Sequence, residues 1–201
     1  MERVNLHLLL KLIWGKIFSF IHTPWYHYKK LGSHVWIDKR VIDISGAEFL
    51  SIGDNTKIYA NARIVSIKKY RNKFFHPEII IDSNVVIGQN FHCTCAEKIY
   101  IGQGTSITPN CGIFDIIHPY ENVKENPRNQ PIKTSPIIIG KNCMIGMNSV
   151  IQAGVILGDH VVVGSNCTVI KGIYPSYSVL AGSPAKLVKL YNEKKQKWEK
   201  V

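Results

Sequence analysis

His118 stands where a regular sequence gives way to a polar, proline-containing stretch, PYENVKENPRNQPIKTSP over residues 119–136. An imidazole titrates near neutral pH, so it can take a proton from a hydroxyl group and later return it to a leaving group. Asp115 lies three residues earlier and could fix the tautomer of the ring, although Glu121 or a backbone carbonyl could do the same. The sequence predicts His118 as a general base, Asp115 as its candidate partner, and the loop 119–136 as the wall of an adjoining cleft.

The chain that must position this histidine repeats itself every six residues. From residue 139 it reads IGKNCM IGMNSV IQAGVI LGDHVV VGSNCT VIKGIY, and earlier copies begin at Ile52, Ile81 and Ile101. A period of six belongs neither to a helix nor to an ordinary strand. We predict an all-β solenoid of short strands, in which one aliphatic residue per hexad points inward and Gly, Asn or Asp forms the corner. A second inward position, four residues later, carries small side chains such as Cys143 and Cys167.

The segment after the repeat has features of a helix. Ser183 is a suitable N-cap, Pro184 fits a first helical position, and Leu187 and Leu190 follow at helical spacing. We therefore predict a C-terminal helix over residues 184–201 that covers the open end of the solenoid.

The first segment, residues 1–31, is predicted to be an amphipathic helix that either packs on the body or lies on a membrane surface. Lys11 and Lys16 interrupt its apolar run, which leaves the run too short for a membrane span, and no small-residue cleavage site follows.

The composition limits the classes of partner. Lys and Arg number 25 against 14 Asp and Glu, a formal net charge of +11, and the basic residues cluster toward the ends. This balance favours phosphorylated cofactors, acidic glycans or lipid headgroups, and nucleic acid is disfavoured because the charge does not follow one element. The 5 cysteines show no CxxC pair and no zinc-like spacing, which indicates a reduced, cytoplasmic setting.

Four features together resemble one family: HPY at 118–120, the loop, the repeat that follows it, and AGSPAK at 181–186. They are similar to those of the maltose, galactoside and polysaccharide O-acetyltransferases of the hexapeptide-repeat acyltransferase superfamily. The resemblance implies a left-handed parallel β-helix, here the domain 32–183, and a homotrimer with sites between its subunits.

The resemblance also implies roles for individual residues. A histidine matching His118 activates an acceptor hydroxyl for direct attack on acetyl-coenzyme A, and no metal is required. Asn90 matches an asparagine that contacts sugar in some relatives, and His92 lies nearby, so both are candidate substrate-binding residues. The positions that match cofactor-contacting residues are Met147, Ser165, Lys171, Lys186 and Lys189.

We therefore expect an acetyl-coenzyme A-dependent O-acetyltransferase that acts on a sugar of a bacterial surface polysaccharide, such as O-antigen or capsule, or of its lipid-linked precursor. Its expected location is the cytoplasm or the inner face of the cytoplasmic membrane. The alternatives are an N-acetyltransferase of a nucleotide-linked amino sugar, of serine or of an antibiotic. A metal-dependent carbonic anhydrase would need three histidines, and His92 and His118 have no evident third. A structural solenoid that serves as an interaction platform is the non-enzymatic alternative.

Overall fold

The structure is a computed structural model that describes residues 26–201, and these residues form a parallel β-helix. Most of the predicted N-terminal helical segment, residues 1–25, lies outside the described residues. The part of that segment which is described contains a short strand at Lys30–Leu31.

The described chain contains 26 strands and two short 3-10 helices, Ala47–Phe49 and Pro127–Asn129. In chain order the strands are β1 (Lys30–Leu31), β2 (Trp36–Ile37), β3 (Asp43–Ser45), β4 (Leu50–Ile52), β5 (Lys57–Ile58), β6 (Arg63–Ser66), β7 (Lys69–Tyr70), β8 (Lys73–Phe74), β9 (Glu78–Ile81), β10 (Val86–Ile87), β11 (His92–Cys95), β12 (Lys98–Ile101), β13 (Ser106–Ile107), β14 (Gly112–Phe114), β15 (Ile116–Ile117), β16 (Lys133–Thr134), β17 (Ile137–Ile139), β18 (Met144–Ile145), β19 (Val150–Ile151), β20 (Val155–Leu157), β21 (Val162–Val163), β22 (Thr168–Val169), β23 (Gly172–Tyr174), β24 (Ser178–Gly182), β25 (Ala185–Asn192) and β26 (Lys197–Lys200).

Three sheets form the faces of the solenoid. Face A is β1, β4, β9, β12, β17, β20 and β23; face B is β2, β5, β10, β13, β18, β21 and β24, extended by β25 and β26; face C is β3, β6, β11, β14, β19 and β22. We refer to the turns that join them as the A–B, B–C and C–A corners. The two remaining strand pairs, β7–β8 and β15–β16, project from the coils as antiparallel hairpins.

Successive hexads occupy successive faces. Ile139, Ile145 and Ile151 lie on faces A, B and C, and each is fully buried. Leu157 then returns to face A and pairs with Ile139, so three hexads complete one coil. The predicted inward residues are thus confirmed as the core, where a buried Ile or Leu side chain contributes roughly 1.5–3 kcal/mol.

The second inward position links neighbouring coils. The hydroxyl of Ser149 donates to the carbonyl of Gly164, and the thiol of Cys143 donates to that of Gly158. A small donor side chain fits this position because it satisfies a carbonyl that a larger apolar residue would leave unpaired. All 5 cysteines are buried and unbridged.

The B–C corner is held by a ladder of asparagine side chains. Each of Asn61, Asn90, Asn110, Asn148 and Asn166 has a positive φ, between 57° and 63°. Each side-chain amide donates to the next in this order, over 2.7–3.0 Å. Asparagine suits the corner because it tolerates the left-handed conformation and can bond the coil above and the coil below.

The predicted C-terminal helix is wrong, because residues 185–192 and 197–200 form strands. β25 runs antiparallel to β24 and β26 antiparallel to β25, while Ser183 and Pro184 occupy the turn before β25. The hydroxyl of Ser183 donates to Thr168 Oγ1 over 2.9 Å instead of capping a helix. A lone short helix is marginal in water, whereas strand pairing satisfies the open edge of β24.

Two excursions leave the solenoid at the C–A corner. Residues 118–132 leave it between β15 and β16, and the β7–β8 hairpin leaves it between β6 and β9. Only the first was indicated by the sequence. Within residues 26–201 no helix has the length and apolar character needed to cross a membrane.

Candidate active site

A cleft of about 620 Å³ lies on the outer surface of face C, next to the C–A corner. Its floor is a row of outward-facing residues from neighbouring coils, and its rim comes from the two corner segments. The lining residues are Thr94, Phe114, Ile116, Ile117, His118, Val150, Gln152, Ala153, Ile170 and Lys171. The cleft is thus mainly apolar, with one imidazole and one ammonium group at its edge.

His118 follows β15 directly and is exposed to solvent at this rim. Its ring meets the ring of Tyr70 nearly at right angles, with centroids 5.7 Å apart and an interplanar angle of 69°. The aromatic contact restricts the orientation of the imidazole and leaves its cleft side open.

Tyr70 also joins the two excursions to each other. Its hydroxyl donates to the carbonyl of Arg128 over 2.5 Å, and the guanidinium of Arg71 donates to Asn129. Below them Phe75, at the end of the hairpin, is buried in a small apolar cluster with Ala96 and Ile132 of the loop. Hairpin and loop therefore form a single wall beside His118.

Asp115 has a structural role that the sequence did not indicate. Its side chain is fully buried, and its carboxylate accepts hydrogen bonds from the backbone N–H groups of Ala96, Glu97 and Lys98 over 2.8–2.9 Å and from the Cys95 thiol. Burial raises the pKa of Asp115, and the backbone donors oppose that shift. None of the bonds made by its carboxylate reaches His118, so its predicted role as the partner of that ring is wrong.

His92 lies on face C but does not line the cleft. Its ring packs edge to face on Phe114, which lines the cleft, at a centroid distance of 5.2 Å. Arg63 Nη1 lies 3.2 Å from His92 Nε2, which makes Nε2 the acceptor. Burial and, second, the positive charge of Arg63 lower the pKa of His92. Its imidazole therefore supports the floor of the cleft through Phe114.

Asn90 does not line the cleft. Its amide is engaged on both sides in the B–C ladder, at the far end of face C from His118. Within one chain Asn90 therefore does not reach this cleft, and its role in substrate binding stays a prediction. Asparagine occurs at this position because it tolerates the positive φ of the B–C corner.

The predicted cofactor-contacting residues divide into Lys171 and a group of four that lies away from the cleft. Lys171 lines the cleft at the C–A corner. Met147 and Ser165 are exposed at the B–C corner, where the backbone N–H of Asn166 donates to the Met147 carbonyl. Lys186 and Lys189 are exposed on β25, where they pair with residues of β24. One chain does not bring the two groups together.

The floor residues were missed by the sequence reasoning, although the repeat contains a signal for them. Phe114, Gln152 and Ile170 each directly follow the inward residue of a face C hexad, and the strand register aligns them in one row. Alternation along a strand turns such residues outward. Tyr70 had no comparable signal, because the hairpin that carries it lies outside the hexad pattern.

The family comparison matches two coils toward the C-terminal end of the solenoid. Residues 136–171 match the hexapeptide repeat of succinyl-transferase. The matched repeat coincides with the coils that the structure builds from β17 to β22. The chain therefore carries the hexapeptide repeat over these residues. No curated protein sequence matches it at a significant level.

Solved structures of acyltransferases and acetyltransferases share the fold. AntD, an N-acyltransferase from Bacillus cereus in complex with dTDP and 3-hydroxybutyryl-CoA, is 19% identical, with a TM-score of 0.71 over 88% of this chain and 90% of that chain. A hexapeptide-repeat containing acetyltransferase from Vibrio cholerae is 21% identical, with a TM-score of 0.54 over 83% and 76%. The acetyltransferase domain of PglB from Neisseria gonorrhoeae is 16% identical, with a TM-score of 0.54 over 76% and 57%. The predicted left-handed β-helix is confirmed.

No group of three His, Cys, Asp or Glu side chains within residues 26–201 is arranged to hold a metal ion. In particular, His92 and His118 have no third histidine beside them in this part of the chain.

Proposed function

We propose that this chain is an acyl-coenzyme A-dependent acyltransferase that transfers an acetyl group to a sugar hydroxyl, with His118 as the general base. The observation that carries the proposal is an exposed imidazole at the rim of a cleft of about 620 Å³ that also contains the Lys171 side chain. Ligand sites typically occupy about 300–1,000 Å³ and combine apolar walls with a few placed polar groups.

The residues of the cleft fit acetyl-coenzyme A. Val150 and Ile170 present aliphatic surface that suits an acyl group and its apolar linker, and the Lys171 ammonium suits a phosphate. The exposed Lys186 and Lys189 supply further positive charge on the same protein. Coenzyme A or an acyl derivative is present in the AntD complexes, which supports this choice of co-substrate.

The chemistry assigned to this chain is a proton transfer. Acetyl-coenzyme A supplies the thioester carbonyl carbon that the acceptor oxygen attacks and the thiolate that leaves. The His118 imidazole accepts the proton of the acceptor hydroxyl as the new C–O bond forms, and it returns that proton to the departing sulfur. The ring ends the cycle in its initial state, and Tyr70 holds its orientation throughout.

A homotrimer with shared sites forms part of the proposal. Lys171 lies at one end of face C, whereas Met147, Ser165 and Lys186 lie toward the other end. A neighbouring subunit packed against face C would bring its own B–C corner to the cleft. Light scattering would test the trimer. Mixing inactive His118→Ala subunits with inactive Lys186→Glu subunits would restore part of the activity only if sites combine residues of two subunits.

The proposed acceptor is a sugar of a bacterial surface polysaccharide or of its lipid-linked precursor, modified in the cytoplasm or at the inner face of the cytoplasmic membrane. A second candidate is the amino group of a nucleotide-linked sugar, which the similarity to AntD favours. An amine is the stronger nucleophile and needs less help from a base. Dependence on His118 therefore separates the two.

The deciding experiment follows thiol release from acetyl-coenzyme A with free sugars, nucleotide-linked amino sugars and lipid-linked sugars. For a hydroxyl acceptor, His118→Ala is expected to lower kcat by about 10²–10⁴-fold. His160→Asn is the matched control, because His160 is exposed at the A–B corner with a φ of 57°, a conformation that asparagine accepts.

An acceptor-dependent rate that His118→Ala leaves intact would contradict the role of His118 as base and favour the amine acceptor. Absence of thiol release with every acceptor would contradict the transferase proposal itself.

A further inference from the structure

The β7–β8 hairpin carries an unusual concentration of positive charge. Its sequence, IKKYRNKFFHP over residues 67–77, has four Lys or Arg residues and no acidic residue. Among the described residues, only Lys68 of these four pairs with a carboxylate, that of Glu48 at 3.5 Å. Lys69, Arg71 and Lys73 have no carboxylate partner within residues 26–201.

The same hairpin exposes a large aromatic side chain. Phe74 is 68% exposed, with the Lys69 ammonium 5.0 Å from its ring centroid. The adjacent Phe75 is only 7% exposed and packs with Ala96 and Ile132. One phenylalanine thus anchors the hairpin to the body, and the other projects into solvent among the cations.

The beginning of the described chain lies beside the base of this hairpin. Lys29 Nζ is 2.7 Å from the carboxylate of Glu78, the first residue of β9 after the hairpin. The sequence that precedes this part of the chain, residues 1–25, contains Arg3, Lys11 and Lys16 among many Leu, Trp and Phe residues. Positive charge and apolar character occur on both sides of this junction.

We propose that the β7–β8 hairpin docks the protein on an anionic membrane surface. Lys69, Arg71 and Lys73 neutralise lipid phosphates, and Phe74 enters the headgroup region. Cations near an anionic bilayer gain attraction within about a Debye length, and an aromatic ring is favoured at the boundary between headgroups and acyl chains. A nucleic acid is a weaker match, because strands of two residues each offer no extended row of cations for its backbone.

Docking in this orientation has a consequence for the cleft. Tyr70, on the same hairpin, contacts His118 and bonds Arg128 of the loop. The rim of the cleft would therefore face the lipid surface, where a lipid-linked sugar presents its hydroxyls. This consequence rests on the proposed function, whereas the docking itself does not.

The test is flotation of the full chain with phosphatidylcholine vesicles, with and without phosphatidylglycerol. We expect binding only to the vesicles that contain phosphatidylglycerol. Neutralising one cation costs roughly fivefold in partitioning, so the double variant Lys69→Gln, Lys73→Gln is expected to bind about 25-fold more weakly. The control variant Lys57→Gln, Lys141→Gln removes the same charge from exposed positions on face B and at the A–B corner, away from the hairpin. Its binding is expected to stay within about twofold of the wild type.

Insertion of the aromatic position is measured separately. Because all 5 native cysteines are buried, a Phe74→Cys variant can be labelled selectively with an environment-sensitive fluorophore. Its emission is expected to rise on vesicles containing phosphatidylglycerol, whereas the same label at Lys141→Cys is expected to show no rise.

Equal flotation of the hairpin variant and the wild type would overturn the proposal. Unchanged fluorescence of the label at Phe74→Cys on these vesicles would also overturn it. Preferential binding of the hairpin cations to a DNA oligonucleotide in place of vesicles would also overturn it. Flotation requires neither acetyl-coenzyme A nor an acceptor. A protein that floats but transfers no acetyl group would contradict only the proposed function, and an active protein that does not float would contradict only the docking.

Discussion

Replacing Asp115 with asparagine tests whether this buried carboxylate is structural or catalytic. The carboxylate accepts from three backbone N–H groups, with Oδ1 facing Ala96 and Oδ2 facing Glu97 and Lys98. An asparagine side chain has only one acceptor oxygen. In its better orientation that oxygen accepts from the N–H groups of Glu97 and Lys98. The side-chain NH2 group then lies opposite the N–H of Ala96, and because both are donors the Ala96 N–H has no acceptor.

The expected cost follows from these contacts. A buried N–H without an acceptor costs about 1–3 kcal/mol, and two hydrogen bonds that change from charged to neutral acceptors lose about 1 kcal/mol each. The expected loss is therefore roughly 3–5 kcal/mol of unfolding free energy, a large part of the ~5–15 kcal/mol typical of a domain.

Urea unfolding followed by circular dichroism measures this loss as a lower urea concentration at the unfolding midpoint, with the dependence of the unfolding free energy on urea concentration unchanged. The control is Asp159→Asn, because Asp159 is exposed and its Oδ1 accepts a backbone hydrogen bond from Lys141, which an amide oxygen can also accept. We expect that variant to remain within about 1 kcal/mol of the wild type. An Asp115→Asn protein of unchanged stability that loses transferase activity would refute the structural role.

Three further predictions concern the B–C ladder, His92 and Tyr70. Asn148→Ala loses two hydrogen bonds of the ladder and places alanine at a φ of 61°, whereas Asn148→Gly loses the hydrogen bonds alone. Urea unfolding should show the alanine variant to be about 1 kcal/mol less stable than the glycine variant. Equal stabilities of the two variants would contradict the conformational cost. Burial and Arg63 lower the folded pKa of His92. The stability contributed by its neutral form is therefore present above the unfolded pKa of about 6.5 and is lost as pH falls toward the folded pKa. In thermal unfolding, His92→Gln should lose less stability than the wild type over that pH window, and identical pH profiles of the two proteins would contradict this assignment. Tyr70→Phe removes the hydrogen bond to the Arg128 carbonyl but keeps the aromatic ring. Amide hydrogen exchange in residues 119–131 should accelerate about fivefold. Unchanged exchange rates would show that this hydrogen bond does not hold the loop.

The hexad period predicted the solenoid and its inward residues. Three sides per coil are what the family resemblance implied, and the pairing of Leu157 with Ile139 in the structure shows them. The same count placed His118 at the end of a coil, beside an excursion. These inferences succeed because they depend on spacing along the chain, which the regular coil converts directly into position.

The tertiary structure decided the features that depend on pairing across coils. Asp115 is near His118 in sequence, yet its carboxylate is directed to the backbone of the coil below. Asn90 is occupied by its ladder neighbours, and the final segment pairs with β24 because that strand would otherwise have an open edge.

The wall of the cleft likewise combines a part that the sequence indicates with a part that only the tertiary structure reveals. The repeat sequence indicates one excursion at residue 119, but the β7–β8 hairpin that joins it is separated from it by more than forty residues of chain. Its contact with His118 exists because both excursions leave the solenoid at the same corner, two coils apart. The sequence by itself determined the solenoid and the candidate base; the alignment of successive coils decided which side chains surround that base.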